Sequence, residues 1–261
     1  MEIIDVAINA ANKASEILKN YHRKFNELKV ELKSKNDFVT KADKEAEKVI
    51  IKEIKSYFPN HAIVAEESGI QSGNNYKWVI DPLDGTKNFI HGLPFFAISI
   101  GIMNRDEIIA GVIKVPVLEE TFTVEKGAGA YRNGEKISTS ERNFSKGLFA
   151  TGFPFRSKDM LEDYLPCFKE IFLSVSGIRR CGAAAIDLAY TACGTFDGFW
   201  ELSLKPWDIA AGILMIEEAG GIVSDFRGKK EYLTSGNIIG ASKKSYEPLF
   251  NIVNKHLGTK Y

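Results

Sequence analysis

The sequence predicts an α+β first part over residues 1–145 joined to an α/β second part over residues 146–261. Three observations carry that expectation. Two amphipathic helical patterns open the chain, over residues 3–21 and from Thr40 to Pro59. Short apolar or alternating runs then follow one another from Ala62 to Ile137 with no helical stretch between them, the pattern of an antiparallel sheet. After about Phe144 strand-like and helix-like segments alternate, the α/β pattern.

In the first helix Ile4, Ala7, Ala11, Ala14, Leu18 and Tyr21 recur at three- to four-residue spacing and share one face. In the second, Thr40-Lys41-Ala42-Asp43 is a capping box with Asp in place of Glu. Ala46, Val49, Ile50, Ile54 and Tyr57 supply its apolar face, and Pro59 stops it. The strand segments are AIVAEE, KWVID, FAISIGIM, IIAGVIKV, ETFTVEK and GAYRNGEKI, with Asn133-Gly134 as a hairpin signal. Both helices are expected on one face of that sheet. In the second part GLFATGF reads as a strand, followed by helices near 159–173 and over 183–193. FDGFWE is a strand, and residues 207–219 form a helix closed by Gly220-Gly221. IVSDF and NIIGAS are strands, and SYEPLFNIVNKHL is a terminal helix.

With 261 residues, 44% hydrophobic and 26% charged, the chain has the composition of a soluble globular protein, which excludes wholesale disorder. Its 34 basic and 34 acidic residues cancel, and they balance within each half. No basic footprint stands out, so nucleic acid is not an expected partner, whereas a small charged substrate handled locally stays open. No apolar run approaches the roughly 20 residues of a membrane span. The N-terminal segment carries acids early and reads as a helix rather than a targeting leader. Cys167, Cys181 and Cys193 lack CxxC spacing and read as reduced thiols of a cytoplasmic protein.

The most informative stretch is Trp78-Val-Ile-Asp-Pro-Leu-Asp-Gly-Thr-Lys-Asn-Phe89. Asp81 ends an apolar strand, and Asp84, three residues on, begins a turn. Two acids so placed can converge outside the sheet, and with the Leu83 carbonyl they make a hard donor set suited to Mg²⁺. The alternative is a plain Asx-type turn whose acids cap Gly85 and Thr86. Glu66-Glu67 ends another strand, where one member faces inward. Pro206-Trp207-Asp208 enters an Ala/Gly-rich helix with Asp208 in its first turn, where an acid suits the helix N-terminus.

Taken together, WVIDPLDGTKNF followed by PWDIAAGILMIEEAGG resembles the two signatures of the inositol monophosphatase family, Mg²⁺-dependent, lithium-sensitive phosphomonoesterases. VAEES before the first signature and KSKNDFVTKAD further upstream also fit, so the resemblance spans nearly the whole chain. It implies a layered α-β-α-β-α sandwich of the sugar phosphatase type, most of the metal ligands in the first part and Asp208 with the substrate contacts in the second. It implies two or three Mg²⁺ per site: Glu66, Asp81 and the Leu83 carbonyl around the first, Asp81, Asp84 and Asp208 around the second, and a loosely held third sharing Glu66. Thr86 and Asp43 resemble the family's water-activating pair. The Gly85 and Thr86 amides match its phosphate contacts, Gly182, Ala183 and Ala184 its backbone contacts to sugar or inositol hydroxyls, and Glu201 the acid that binds a ring hydroxyl. Asp208 borders the substrate as well as the metal.

The sequence departs from the family pattern at Ala183, often Thr, and at Lys87, whose place is either near the phosphate or out in solvent. Lys33 matches a mobile-loop Lys, and the loop near 30–40 is expected at the lip of the pocket. Arg179-Arg180 can meet a second phosphate or a dimer neighbour. Phe95, Phe96 and Phe155 read as core or interface, and His22, His61, His91 and His256 show no ligand spacing. The implied activity is hydrolysis of small polyol or sugar phosphates, inositol 1-phosphate first and fructose 1,6-bisphosphate as the alternative, in a homodimer with residues 153–166 offering the contact. A different class, binding to RNA or transcription components, is set against it. The intact set of Glu66, Asp81, Asp84, Thr86 and Asp208 favours catalysis.

Overall fold

The computed structural model describes residues 1–24, 30–34, 37–155 and 158–260, and of residues 30–34 and 37–40 only the backbone. Helix α1 (Ile3–His22) leads to a hairpin of β1 (Val30–Ser34) and β2 (Asp37–Thr40), then to α2 (Lys41–Tyr57). Strands β3 (Ala62–Ala65), β4 (Gly69–Gln71) and β5 (Tyr76–Asp84) precede a short helix α3 (Thr86–Ile90). β6 (Ala97–Asn104), β7 (Glu107–Val115), β8 (Glu120–Glu125), β9 (Gly129–Arg132) and β10 (Glu135–Lys136) complete a sheet ordered β10-β9-β8-β7-β6-β5-β3-β4. The chain continues through β11 (Leu148–Thr151), α4 (Leu161–Ser174), β12 (Gly177–Arg179), α5 (Ala184–Ala192) and β13 (Gly198–Glu201). It ends with α6 (Pro206–Glu218), β14 (Ile222–Ser224), α7 (Tyr232–Ser235), β15 (Ile238–Ala241) and α8 (Lys243–Leu257). The second sheet is ordered β12-β11-β13-β15-β14.

Five layers result. α1 and α2 cover the outer face of the first sheet, α5 and α6 lie between the two sheets, and α4 and α8 cover the outer face of the second. Three apolar clusters cement these contacts, one for each outer helix pair and a central one around α5 and α6. The central helices are apolar nearly all round, as burial between two sheets requires. The layered sandwich that the family resemblance implies is what the chain adopts, with parallel and antiparallel pairs mixed in the second sheet. The expected boundary at 145/146 falls in a 3₁₀ turn, Phe144–Lys146, on the way from the first sheet to the second.

The first sheet is not wholly antiparallel: β3 pairs β5 in parallel. The physical reason is β4, which folds back on β3 and takes its outer edge, so the chain returns to the other side running in β3's direction. The hairpin β1–β2 occupies residues expected to form a loop, and the side chain of Lys33 lies outside the described residues. α1 buries a broader face than its periodicity indicates, including Val6 and Ala10, because it packs on both α2 and the sheet. Tyr57, expected on the apolar face of α2, is the helix's last residue and is 46% exposed.

α6 approaches the first sheet closely because the sheet presents glycine there. A Cβ on Gly101 would lie 2.7 Å from the Cβ of Ala210, and one on Gly111 3.0 Å from the Cα of Ala211. Gly101→Ala therefore forces the central layer off the sheet and is expected to cost about 1–3 kcal/mol of stability. Urea unfolding of the two proteins checks this, and an unchanged midpoint and slope would rule out the close approach.

Candidate active site

The three acids of the two signatures meet in space. One carboxylate oxygen from each of Asp81, Asp84 and Asp208 lies within 4.8 Å of the others. Asp81 stands at the end of β5, where the pairing with β6 skips two residues between Asp81 and Asp84. That irregularity, at Pro82-Leu83, lies where the end of β5 brings both acids to the N-terminus of α6. Asp208 is the third residue of α6, and the Ser99 hydroxyl of β6 holds that end by donating to the Trp207 carbonyl at 3.0 Å.

Each acid also satisfies a backbone donor. Asp81 accepts the Leu83 amide at 2.9 Å, so an Asx-type turn exists here alongside the cluster and engages Leu83 rather than Gly85 or Thr86. Asp84 accepts the Ala185 amide at 2.7 Å, capping α5, whose own N-cap residue Ala183 offers no side-chain acceptor. Asp208 accepts the Lys205 amide at 2.8 Å and so serves its helix N-terminus too. These bonds fix the carboxylates without neutralising them. Burial, then the charges of Glu66, Asp84 and Asp208, pushes the Asp81 carboxyl well above the usual range. Loss of water contact and the charge of Asp208 raise Asp84, which the Ala185 amide opposes. An all-oxygen, strongly anionic donor set in a water-poor cleft is chemistry that fits a hard divalent cation.

Glu66, Asp81, Asp84 and Asp208 line one cleft, together with Leu83, Gly85, Thr86, Gly182, Ala183, Ala184 and Glu201. Glu66 sits in the turn just after β3, and Glu47 of α2 holds that turn by accepting the amides of Glu67 and Ser68, each at 2.8 Å. Gly85 has a φ of +87°, and a Cβ there would lie 2.8 Å from the Phe95 carbonyl, so the turn after Asp84 needs glycine. The Thr86 hydroxyl lies 3.5 Å from Asp43 Oδ1 and 3.1 Å from the Leu83 carbonyl, two acceptors for its one proton. The fold thus brings Asp43 beside Thr86 across a long stretch of chain. Glu201, at the end of β13, occupies space that Gly152 leaves bare: a Cβ on Gly152 would lie 1.8 Å from its Oε1.

Sequence reasoning missed several neighbours of this cleft. Asn88 donates to the carbonyls of Phe95 at 2.6 Å and Cys181 at 2.8 Å, tying α3 to the loop before α5. Asp187, on α5, is buried, and its Oδ1 has no partner among the described residues. Burial and the charge of Glu201 raise its carboxyl well above the usual range. An acid inside the apolar run AAAIDLAYTAC was the available signal. Phe155, read as core or interface, is 45% exposed and lines the cleft with Phe153; Phe96 is buried. Among the described residues the histidines stand away from the cleft lining: His61 stacks between Phe58 and Tyr76 and accepts from Trp78 Nε1 at 3.0 Å, and His256 pairs with Glu170. Among the described residues no helix is long and apolar enough to cross a membrane.

Known proteins match this arrangement along the whole chain. The family model described as "Inositol monophosphatase family" matches residues 1–257. A protein named Nus factor SuhB from Pseudomonas aeruginosa is 42% identical over 98% of this chain and 97% of its own length. The crystal structure of extragenic suppressor protein suhB from Bartonella henselae superposes with a TM-score of 0.95 at 40% identity, covering 98% of this chain and 99% of that one. The structure of an inositol monophosphatase from Anabaena gives 0.87 at 34% identity, covering 98% and 97%. Fold, signatures and whole-length similarity agree, and the chain belongs to the inositol monophosphatase family.

Proposed function

We propose that this protein hydrolyses small polyol or sugar phosphate monoesters, inositol 1-phosphate first and fructose 1,6-bisphosphate as the alternative, with Mg²⁺ held in its carboxylate cluster. The observation that carries this reading is the convergence of Asp81, Asp84 and Asp208 within 4.8 Å in a cleft also lined by Glu66 and Glu201. Membership of a metal-dependent phosphatase family supports it. Glu66, Asp81, Asp84, Asp208 and the Leu83 carbonyl would hold two or three ions. Such ions, when bound, polarise phosphoryl oxygens and acidify a coordinated water.

The chain's own residues supply position. Thr86, donating to Asp43, leaves its oxygen lone pairs to accept from and orient the attacking water; in the structure the Leu83 carbonyl competes for that proton. The amides of Gly85 and Thr86 serve the phosphate, and the backbone of Gly182, Ala183 and Ala184 serves substrate hydroxyls. Glu201, in the space kept by Gly152, accepts a ring hydroxyl. The water oxygen bonds to phosphorus and gives up a proton, the ester P–O bond breaks, and the departing alkoxide takes up a proton in its place, leaving an alcohol and inorganic phosphate. Closeness of the reacting atoms accounts for much of the acceleration.

A second reading has one observation in its favour, the name Nus factor carried by relatives such as the Pseudomonas aeruginosa protein. That name points to the transcription machinery, and the sequence-based expectation that nucleic acid is no partner has no support beside it. Binding of that kind and hydrolysis are compatible. Co-elution of the protein with a transcribing RNA polymerase complex, unaffected by Asp84→Asn, is the outcome the second reading expects. Failure to co-elute would remove it.

Asp84→Asn keeps the shape and the bond to the Ala185 amide while removing one charge from the cluster. Mg²⁺-dependent release of phosphate from inositol 1-phosphate is expected to fall about a hundred- to thousandfold in a variant with unchanged circular dichroism. Near-normal turnover by the folded variant would refute the catalytic reading of this residue.

A further inference from the structure

The rim of the cleft carries cations that the roles above leave unused. Lys87 Nζ lies 5.1 Å from the ring centroid of Phe155, and the guanidinium carbon of Arg180 lies 5.4 Å from the same centroid. All three side chains line the cleft. Their meeting is built by the backbone. The bond from Asn88 to the Cys181 carbonyl pins two distant segments together, and Lys87 and Arg180 are the residues just before each end of that bond. Gly182 completes the seat: a Cβ there would lie 2.5 Å from Arg180 Nη1, so the guanidinium runs back across a bare Cα. The neighbouring Arg179 behaves differently. It donates to the Ile178 carbonyl at 3.1 Å on the sheet-edge strand β12 and lies outside the cleft lining. The basic pair of the sequence is split, with one member turned to the cleft.

We propose that Lys87 and Arg180, set on Phe155, form a second anion subsite that receives the distal phosphate of a bisphosphorylated sugar or polyol. The proposal rests on the phosphatase reading for the scissile phosphate at the carboxylate floor, and assigns residues that would favour its bisphosphate alternative over a monophosphate. Two cations held against one ring at the cleft rim attract an anion that reaches both. A guanidinium offers paired N–H donors to phosphate oxygens, an ammonium adds a point charge, and the ring keeps water from one side of both. The rim is cationic where the floor is anionic, so the distal phosphate meets opposite charge at the rim, whereas the scissile phosphate would meet it at the floor only with the proposed Mg²⁺ bound there.

Fructose 1,6-bisphosphate and fructose 1-phosphate differ only in the distal phosphate, so the ratio of their kcat/KM values isolates the subsite. The wild-type ratio is expected to favour the bisphosphate, and Lys87→Gln and Arg180→Gln to lower it about tenfold each through a higher bisphosphate KM. Arg180→Lys, which keeps the charge, is expected to retain most of the preference. Equal losses on both esters, or an unchanged ratio in both neutral variants, would overturn the subsite. If the wild type hydrolyses neither ester, the ratio of Kd values from calorimetry decides instead. A bisphosphate preference abolished by Arg180→Gln then upholds the rim site while the phosphatase reading falls, and no preference overturns the rim site.

Discussion

Three carboxylates held within 4.8 Å of one another are the constraint on which this structure turns. Like charges so close in a water-poor place are repulsive, and a chain that keeps them there needs compensation from elsewhere. Part comes from the backbone: the amides of Leu83, Ala185 and Lys205 each donate to one of the three acids. The Ala185 donor opens α5, so Asp84 also fastens that helix to the first sheet, and the Ser99 bond to Trp207 does the same for α6. The proposed divalent cation would supply the remainder.

That fastening explains features remote from the chemistry. α6 can bring Asp208 to Asp81 only if it lies against the sheet, and Gly101 and Gly111 provide the closeness. Ser99 holds the carbonyl of Trp207 immediately before Asp208, so the helix cannot slide along the strand that carries it. On the far side Glu47 of α2 fixes the turn bearing Glu66, which ties the outer helical layer to the same cleft. Each layer but the outermost pair α4 and α8 supplies a residue to the cleft or holds one there.

Much of this was legible in the sequence, because the acids stand in dense, ordered signatures and the helices have clear periodicity. The pairing of β3 with β5 was not, since a local pattern shows that strands exist but not which edge a three-residue strand such as β4 will cover. The same holds for residues whose importance comes from long-range contact. Gly152 looks like any loop glycine until Glu201 is placed beside it, and Asn88 is a polar residue in a turn until it reaches Cys181. Arg179 and Arg180 are indistinguishable as letters; a bare Cα at Gly182 separates them. Asp43 and Thr86 were paired through the family resemblance, and the fold supplies the proximity while adding Leu83 as a competitor for the proton.

The central claim is that the carboxylate cluster is an electrostatic liability that a divalent cation relieves. Thermal unfolding followed across increasing Mg²⁺, in wild type and in Asp208→Asn, tests it most directly, because a ligand that binds only the folded state raises the midpoint with its concentration. The account predicts a midpoint that climbs with Mg²⁺ in the wild type, and a climb much reduced in Asp208→Asn, which is itself no less stable than the wild type in EDTA. A wild-type midpoint indifferent to Mg²⁺, or an equal climb in both proteins, would contradict it.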